Sequence, residues 1–169
     1  GNGVTEVKPG VNCQIIKRPI DNVGLYIPAG NNPLPSTAIM LGVPSSLARN
    51  KQSFMVSPPN KEGLVNDTIV AAARLSGIEK IFKVGGAQSI AAMAHGTESI
   101  PQADKIFGPG NSWVTKAKQM ISTLGLTVSI DMPAGPTEVM IISDGNTNPK
   151  FIAYDLLSQA EHGTDSQVI

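Results

Sequence analysis

An α/β fold with a mostly parallel sheet is the prediction for this chain of 169 residues. Two observations carry it. Short apolar runs alternate with helix-length segments along the sequence, the pattern of strands joined by crossover helices. The glycine-rich turns all follow strands, where such sheets hold their ligands.

The elements are justified in order. Val23-Gly24-Leu25-Tyr26-Ile27 is short, apolar and closed by Pro28, as a buried strand should be. A helix is expected from Ser36 to Ala48, then a strand over Ser53–Val56 ended by Pro58-Pro59. Asn66 to Ser76 carries Ile69, Val70, Ala73 and Leu75 on an alanine-rich helix, with Gly77 at the position of a C-terminal cap. Lys80–Val84 is the third strand, followed by Gly85-Gly86 and a helix from Ala87 to His95. Lys105–Phe107 is a strand and Asn111 to Leu124 a helix. Thr127–Ile130 and Glu138–Ile142 are further strands, and a last helix runs from about Pro149 to His162.

Composition narrows the function. Thirteen basic residues balance thirteen acidic ones, so no excess charge exists to neutralise phosphates and nucleic acid is not an expected partner. No apolar run is long enough to span a bilayer. The single cysteine, Cys13, excludes an internal disulfide framework and suits a reducing cytoplasm. It reads as a structural thiol. The Gly1 start without methionine points to a piece of a longer polypeptide.

Chemistry concentrates in a few places. Pro28-Ala29-Gly30, Gly85-Gly86-Ala87-Gln88 and Gly108-Pro109-Gly110-Asn111 each follow a strand, and two of them bring an amide side chain to the start of a helix. Each alone is accounted for by a tight turn, and Asn111 by a capping role. Three on one rim point to a cleft for a polar ligand. The Gly108-Pro109-Gly110 run begins like a dinucleotide fingerprint, but Trp113 replaces its third glycine. What remains is a helix N-terminus suited to an anion.

Gln159 and His162, three apart on the last helix, point one way and can begin a metal or polar-substrate site. His95 is expected on the surface or in packing. Asp131 and Glu138 read as turn-capping or solvated carboxylates, and Asp155 and Glu161 as a solvated helix face. Ser158 and His162 share a helical face, but no glycine-flanked elbow surrounds the serine.

Several motifs occur in one order: Gly24-Leu25-Tyr26-Ile27-Pro28-Ala29-Gly30, Gly85-Gly86-Ala87-Gln88, Gly96-Thr97-Glu98-Ser99-Ile100-Pro101 and Lys105-Ile106-Phe107-Gly108-Pro109-Gly110-Asn111. Ile130-Asp131-Met132-Pro133-Ala134-Gly135-Pro136-Thr137-Glu138 and Leu157-Ser158-Gln159-Ala160-Glu161-His162-Gly163 follow. Together they closely resemble the histidinol dehydrogenase family, from about Gly10 onward. Ala29 and His95 stand where that family commonly has glycine and tyrosine.

The resemblance implies the oxidation of L-histidinol, through an aldehyde, to L-histidine in the last steps of histidine biosynthesis, with NAD and zinc. By it, Tyr26, Gln88 and Asn111 match NAD contacts, and Thr137 a substrate contact. Gln159 and His162 match residues that bind both zinc and substrate. The implied fold is Rossmann-like, three-layered α/β/α. Residues 1–21 form a connecting segment and 22–136 the NAD-binding domain. The strand–helix segment 137–169 starts the return to a second Rossmann-like domain. The family's parent protein is a homodimer in the cytoplasm. Its catalytic Glu-His pair is expected beyond Ile169, with the remaining zinc ligands, so the site is incomplete in this chain and no catalytic residue is assigned within it. The isolated chain is then expected to bind NAD weakly, to expose Leu156 and Leu157, and to be inactive. Two alternatives stand beside this reading: a catalytically silent α/β ligand-binding module, and a serine hydrolase using Ser158 and His162.

Overall fold

The computed structural model describes residues 3–29, 33–133, 138–161 and 166–169. The chain divides into two compact units, Gly1–Pro133 and Ala134–Ile169.

The first unit opens with a hairpin that the sequence does not predict. Strand β1 (Val4–Lys8) pairs antiparallel with β2 (Val11–Gln14), and Gly10 turns the chain at φ +79°. Pro9-Gly10 is the turn signal, but both strands are exposed throughout, so no apolar face marks them. Cys13 lies on β2 and is exposed, which corrects its reading as a structural thiol: a hairpin without a buried face has no core for it to pack.

Five strands then build the sheet: β3 (Asn22–Tyr26), β4 (Gln52–Val56), β5 (Lys80–Phe82), β6 (Lys105–Phe107) and β7 (Ser129–Ile130). Every pairing is parallel, and the spatial order is β5-β4-β3-β6-β7. The order therefore reverses between β3 and β6. That is the topology of a dinucleotide-binding half, with its crevice at the reversal. Helices α1 (Pro35–Leu47), α2 (Asp67–Leu75), α3 (Gly86–His95) and α4 (Ser112–Thr123) make the crossovers.

Strand alternation sorts the core into two layers. Val23, Leu25, Ile27 and Met55 pack with Ala38, Ile69, Ala72 and Ala73 of α1 and α2. Tyr26, Phe54, Val56 and Ile106 pack with Ile90, Met93, Val114 and Ile121 of α3 and α4. The two-residue period of a strand sends neighbours to opposite faces, and a sheet covered on both faces reads as a continuous apolar run. Gly24 breaks that run for a reason. A Cβ there would stand 2.7 Å from Met93 Sδ, so the glycine lets α3 lie close on the sheet. Phe54 meets Phe82 edge-on, with centroids 5.7 Å apart.

The helix ends follow local chemistry. Asn66 caps α2 by accepting from Thr68 N–H at 2.9 Å, and Gly77 leaves it at φ +80°. No described helix is long and apolar enough to cross a membrane.

The second unit is a small βαβ arrangement. Strand β8 (Glu138–Val139) runs parallel to β9 (Gln167–Val168), and helix α5 (Pro149–Ala160) joins them. Asn148 caps α5, accepting from Lys150 N–H at 3.0 Å. None of the twelve residues of α5 is buried; Leu156 is half-buried, while Phe151, Tyr154 and Leu157 are exposed. In the loop before it, the backbone and side-chain amides of Asn146 hold the Asp144 carboxyl below its ordinary range.

Candidate functional site

The C-terminal rim of the sheet gathers the residues that the sequence assigns to a polar ligand. Tyr26 ends β3, the strand at the order reversal, and its ring is buried at 4% exposure. Its hydroxyl is not free: Oη accepts the Gly86 N–H at 3.2 Å. Tyr26 thus ties the start of α3 to the end of the central strand.

No side chain caps α3, because Gly85 and Gly86 begin it. Gly86 sits at φ +71°, and a Cβ on it would lie 2.9 Å from Gln88 Oε1. The exposed Gln88 carboxamide therefore rests over the first turn, beside the peptide that Tyr26 holds. Apart from the Gly86 N–H, which Tyr26 takes, the first backbone amides of α3 have no capping side chain on Gly85 to compete for them, and such a helix start favours an anionic group. One residue beyond β4, the Ser57 hydroxyl is fully buried and has no hydrogen-bond partner among the described residues.

The second arm of the crevice follows β6. Gly108 is at φ +128°, and a Cβ there would fall 2.1 Å from the Tyr26 carbonyl oxygen. Only glycine allows this approach of the two strand ends. Three residues later Asn111 caps α4, its Oδ1 accepting from Val114 N–H at 3.1 Å. The side chain is exposed, and its NH2 group supplies donors toward solvent or ligand.

One part of the rim goes unread in the sequence. Lys118 of α4 is buried, with 4% of its side chain exposed, and forms an ion pair with Asp131. Its ammonium also donates to the Gly108 carbonyl at 2.8 Å, while Asp131 Oδ2 accepts the Gly108 N–H at 2.8 Å. Asp131 is therefore no solvated turn carboxylate. The available signal was Lys118 itself: Val114, Lys118 and Ile121 occupy the buried stripe of α4, so a cation stands at a core position.

The remaining assignments separate. Gln159 is half-buried in the last turn of α5. Thr137 and His162 lie outside the described residues; α5 ends at Ala160 with Glu161 as its cap, one residue short of the last described position of the expected helix. Ser158 Oγ donates to the Asp155 carbonyl at 2.7 Å, a back-bond within the helix rather than the poise of a nucleophile. Asp131 and Glu138 belong to different units, and His95 is exposed at the end of α3. Among the described residues no group of three or more His, Cys, Asp or Glu converges as a metal site. An apolar cleft beside α1, lined by Ile20, Leu25, Leu41, Pro44 and Phe107, contains none of the candidate residues.

Comparison with known proteins gives a consistent result. The family model described as histidinol dehydrogenase matches residues 2–169. The histidinol dehydrogenase of Xanthomonas axonopodis pv. citri (strain 306) is 57% identical over 169 residues, which are all of this chain and 39% of that protein. That of Colwellia psychrerythraea (strain 34H / ATCC BAA-681) is 57% identical over 164 residues, 97% of this chain and 38% of its own length. The crystal structure of histidinol dehydrogenase from Elizabethkingia anophelis superposes with a TM-score of 0.93 at 54% identity. It covers 99% of this chain, which spans 38% of that one. The chain thus spans about two fifths of the length of the relatives it matches.

Proposed function

The chain belongs to the histidinol dehydrogenase family, and from that premise we propose that it supplies the NAD-binding part of an enzyme oxidising L-histidinol to L-histidine. The observation that carries the proposal is the family match across residues 2–169. The reversal of strand order beside Tyr26 supports it. The parent protein is proposed to be a cytoplasmic homodimer.

The rim suits NAD on its own chemistry. It offers a helix start whose cap residue Gly85 has no side chain, a glycine whose Cβ would meet the Gln88 amide, and a buried Ser57 hydroxyl without a partner among the described residues. Tyr26, Gln88 and Asn111 are the residues proposed to hold the dinucleotide. When bound, NAD supplies the hydride acceptor for alcohol and then aldehyde oxidation. The chain's own part is to orient it: Tyr26 holds the first turn of α3, and the amides of Gln88 and Asn111 donate to the ligand's polar groups.

Thr137 is proposed to contact the substrate, and Gln159 and His162 both substrate and zinc. One amide oxygen and one imidazole do not complete a zinc centre, which takes about four donors. The other donors, and the general base, are proposed to come from the rest of the family's length.

Steady-state kinetics of the full-length protein test this reading. Asn111→Ala and Gln88→Ala should each raise the KM for NAD about tenfold, the effect of one hydrogen bond to a charged ligand. The KM for histidinol should stay within about twofold. A full-length protein that forms no NADH from histidinol, with zinc present, would overturn the proposal.

A further inference from the structure

We propose that Lys118 and Asp131 form a clamp that positions the Gly108–Asn111 loop for a nicotinamide dinucleotide. The inference rests on the cofactor reading of the rim above and assigns it two positioning residues that touch neither substrate nor cofactor.

The geometry is a closed ring around one residue. Asp131 takes the Gly108 N–H on one carboxylate oxygen and Lys118 on the other, and Lys118 returns to the Gly108 carbonyl. Both backbone polar groups of Gly108 are thus held by charged partners. They hold it at φ +128°, where L side chains rarely go, with its backbone against the Tyr26 carbonyl. A backbone in such a region persists only where its surroundings over-determine it.

Stability alone is a poor account of this arrangement. Lys118 occupies the buried stripe between Val114 and Ile121, where an apolar side chain would pack without taking a charge out of water. Replacing a buried ion pair by well-packed apolar residues is often neutral or stabilising. What the pair supplies is direction. Pro109 follows Gly108 with its φ fixed by the ring. Few free torsions therefore separate the clamped peptide from Asn111, whose Oδ1 is itself held by Val114 N–H. Fixing Gly108 fixes where the Asn111 amide stands on the rim.

Asp131→Asn in the full-length protein is the decisive change. A carboxamide has one acceptor oxygen where the carboxylate has two, so either Gly108 N–H or Lys118 loses its acceptor on residue 131, Lys118 keeping only the Gly108 carbonyl. The Kd for NAD should rise about tenfold, as for a lost hydrogen bond to a charged group. The KM for histidinol should stay within about twofold, a split that a purely structural loss would not produce. The double variant Lys118→Met with Asp131→Asn leaves no charge buried without a partner. It should recover most of the wild-type Tm while keeping the loss in NAD affinity, and it serves equally if the single variant fails to accumulate. Wild-type NAD affinity in a folded double variant, with Asn111→Ala still weakened, overturns the clamp and leaves the cofactor reading intact. Wild-type NAD affinity in all three variants overturns the cofactor reading of this loop, and the clamp falls with it.

Discussion

Strand β4 and helix α5 belong to the same kind of βαβ architecture and end in opposite states. Phe54, Met55 and Val56 of β4 are fully enclosed, whereas α5 buries none of its residues and exposes Phe151, Tyr154 and Leu157. The difference is not one of apolar content. Strand β4 has β3 and β5 on its two edges and helices over both faces. Among the described residues of its own unit, helix α5 packs on β8 and β9, strands of two residues each. A βαβ unit becomes a core when further strands and a second helical layer close over it. The first unit has them. The second leaves Phe151, Tyr154 and Leu157 of α5 exposed.

Core truncation should separate the two regions most. Phe54→Ala removes a ring that packs on Phe82 and the helical layer above it, and should cost about 3–5 kcal/mol in urea unfolding of the chain. Leu157→Ala, at an exposed position, should shift the same transition by no more than about 0.5 kcal/mol. Equal losses would erase the distinction between the units.

A smaller contrast lies in the helix caps. Asn66 and Asn148 make the same bond, each accepting the amide two residues on. Asn66→Ala should lower the stability of the first unit by about 1 kcal/mol. Asn148→Ala removes an equivalent bond from α5 and should leave that transition where it is, lowering only the local helicity seen by NMR. A matching loss from both would mean that α5 unfolds together with the five-stranded sheet.

The same contrast explains what the sequence reveals. Continuous apolar runs such as Phe54-Met55-Val56 and the alanine-rich stretch of α2 announce themselves, because burial on both sides leaves a one-sided composition. The parallel strands with glycine turns after them, both legible in the sequence, bring Tyr26 and Gln88 together at Gly86 on one rim. The hairpin of β1 and β2 and the two-residue strand β9 are invisible to such reasoning, since their pairing is backbone chemistry with no buried face to mark it. The strands over 127–130 and 138–142 come out at two residues each, because few partners lie beside them. Lys118 escapes notice for another reason. A lysine on an amphipathic helix is ordinarily solvated, and only its phase with Val114 and Ile121 betrays burial.

Amide hydrogen exchange on this chain, with and without NAD, tests the central claim that the first unit is the self-sufficient, cofactor-bearing part. The account predicts slow exchange limited by global unfolding for Leu25, Met55 and Ile106, and fast exchange throughout α5. Added NAD should further slow exchange at Gly86, Gln88, Gly108 and neighbouring rim amides while leaving α5 unchanged. Protection of α5 equal to that of β4, or an NAD effect confined to the cleft beside α1, would contradict it.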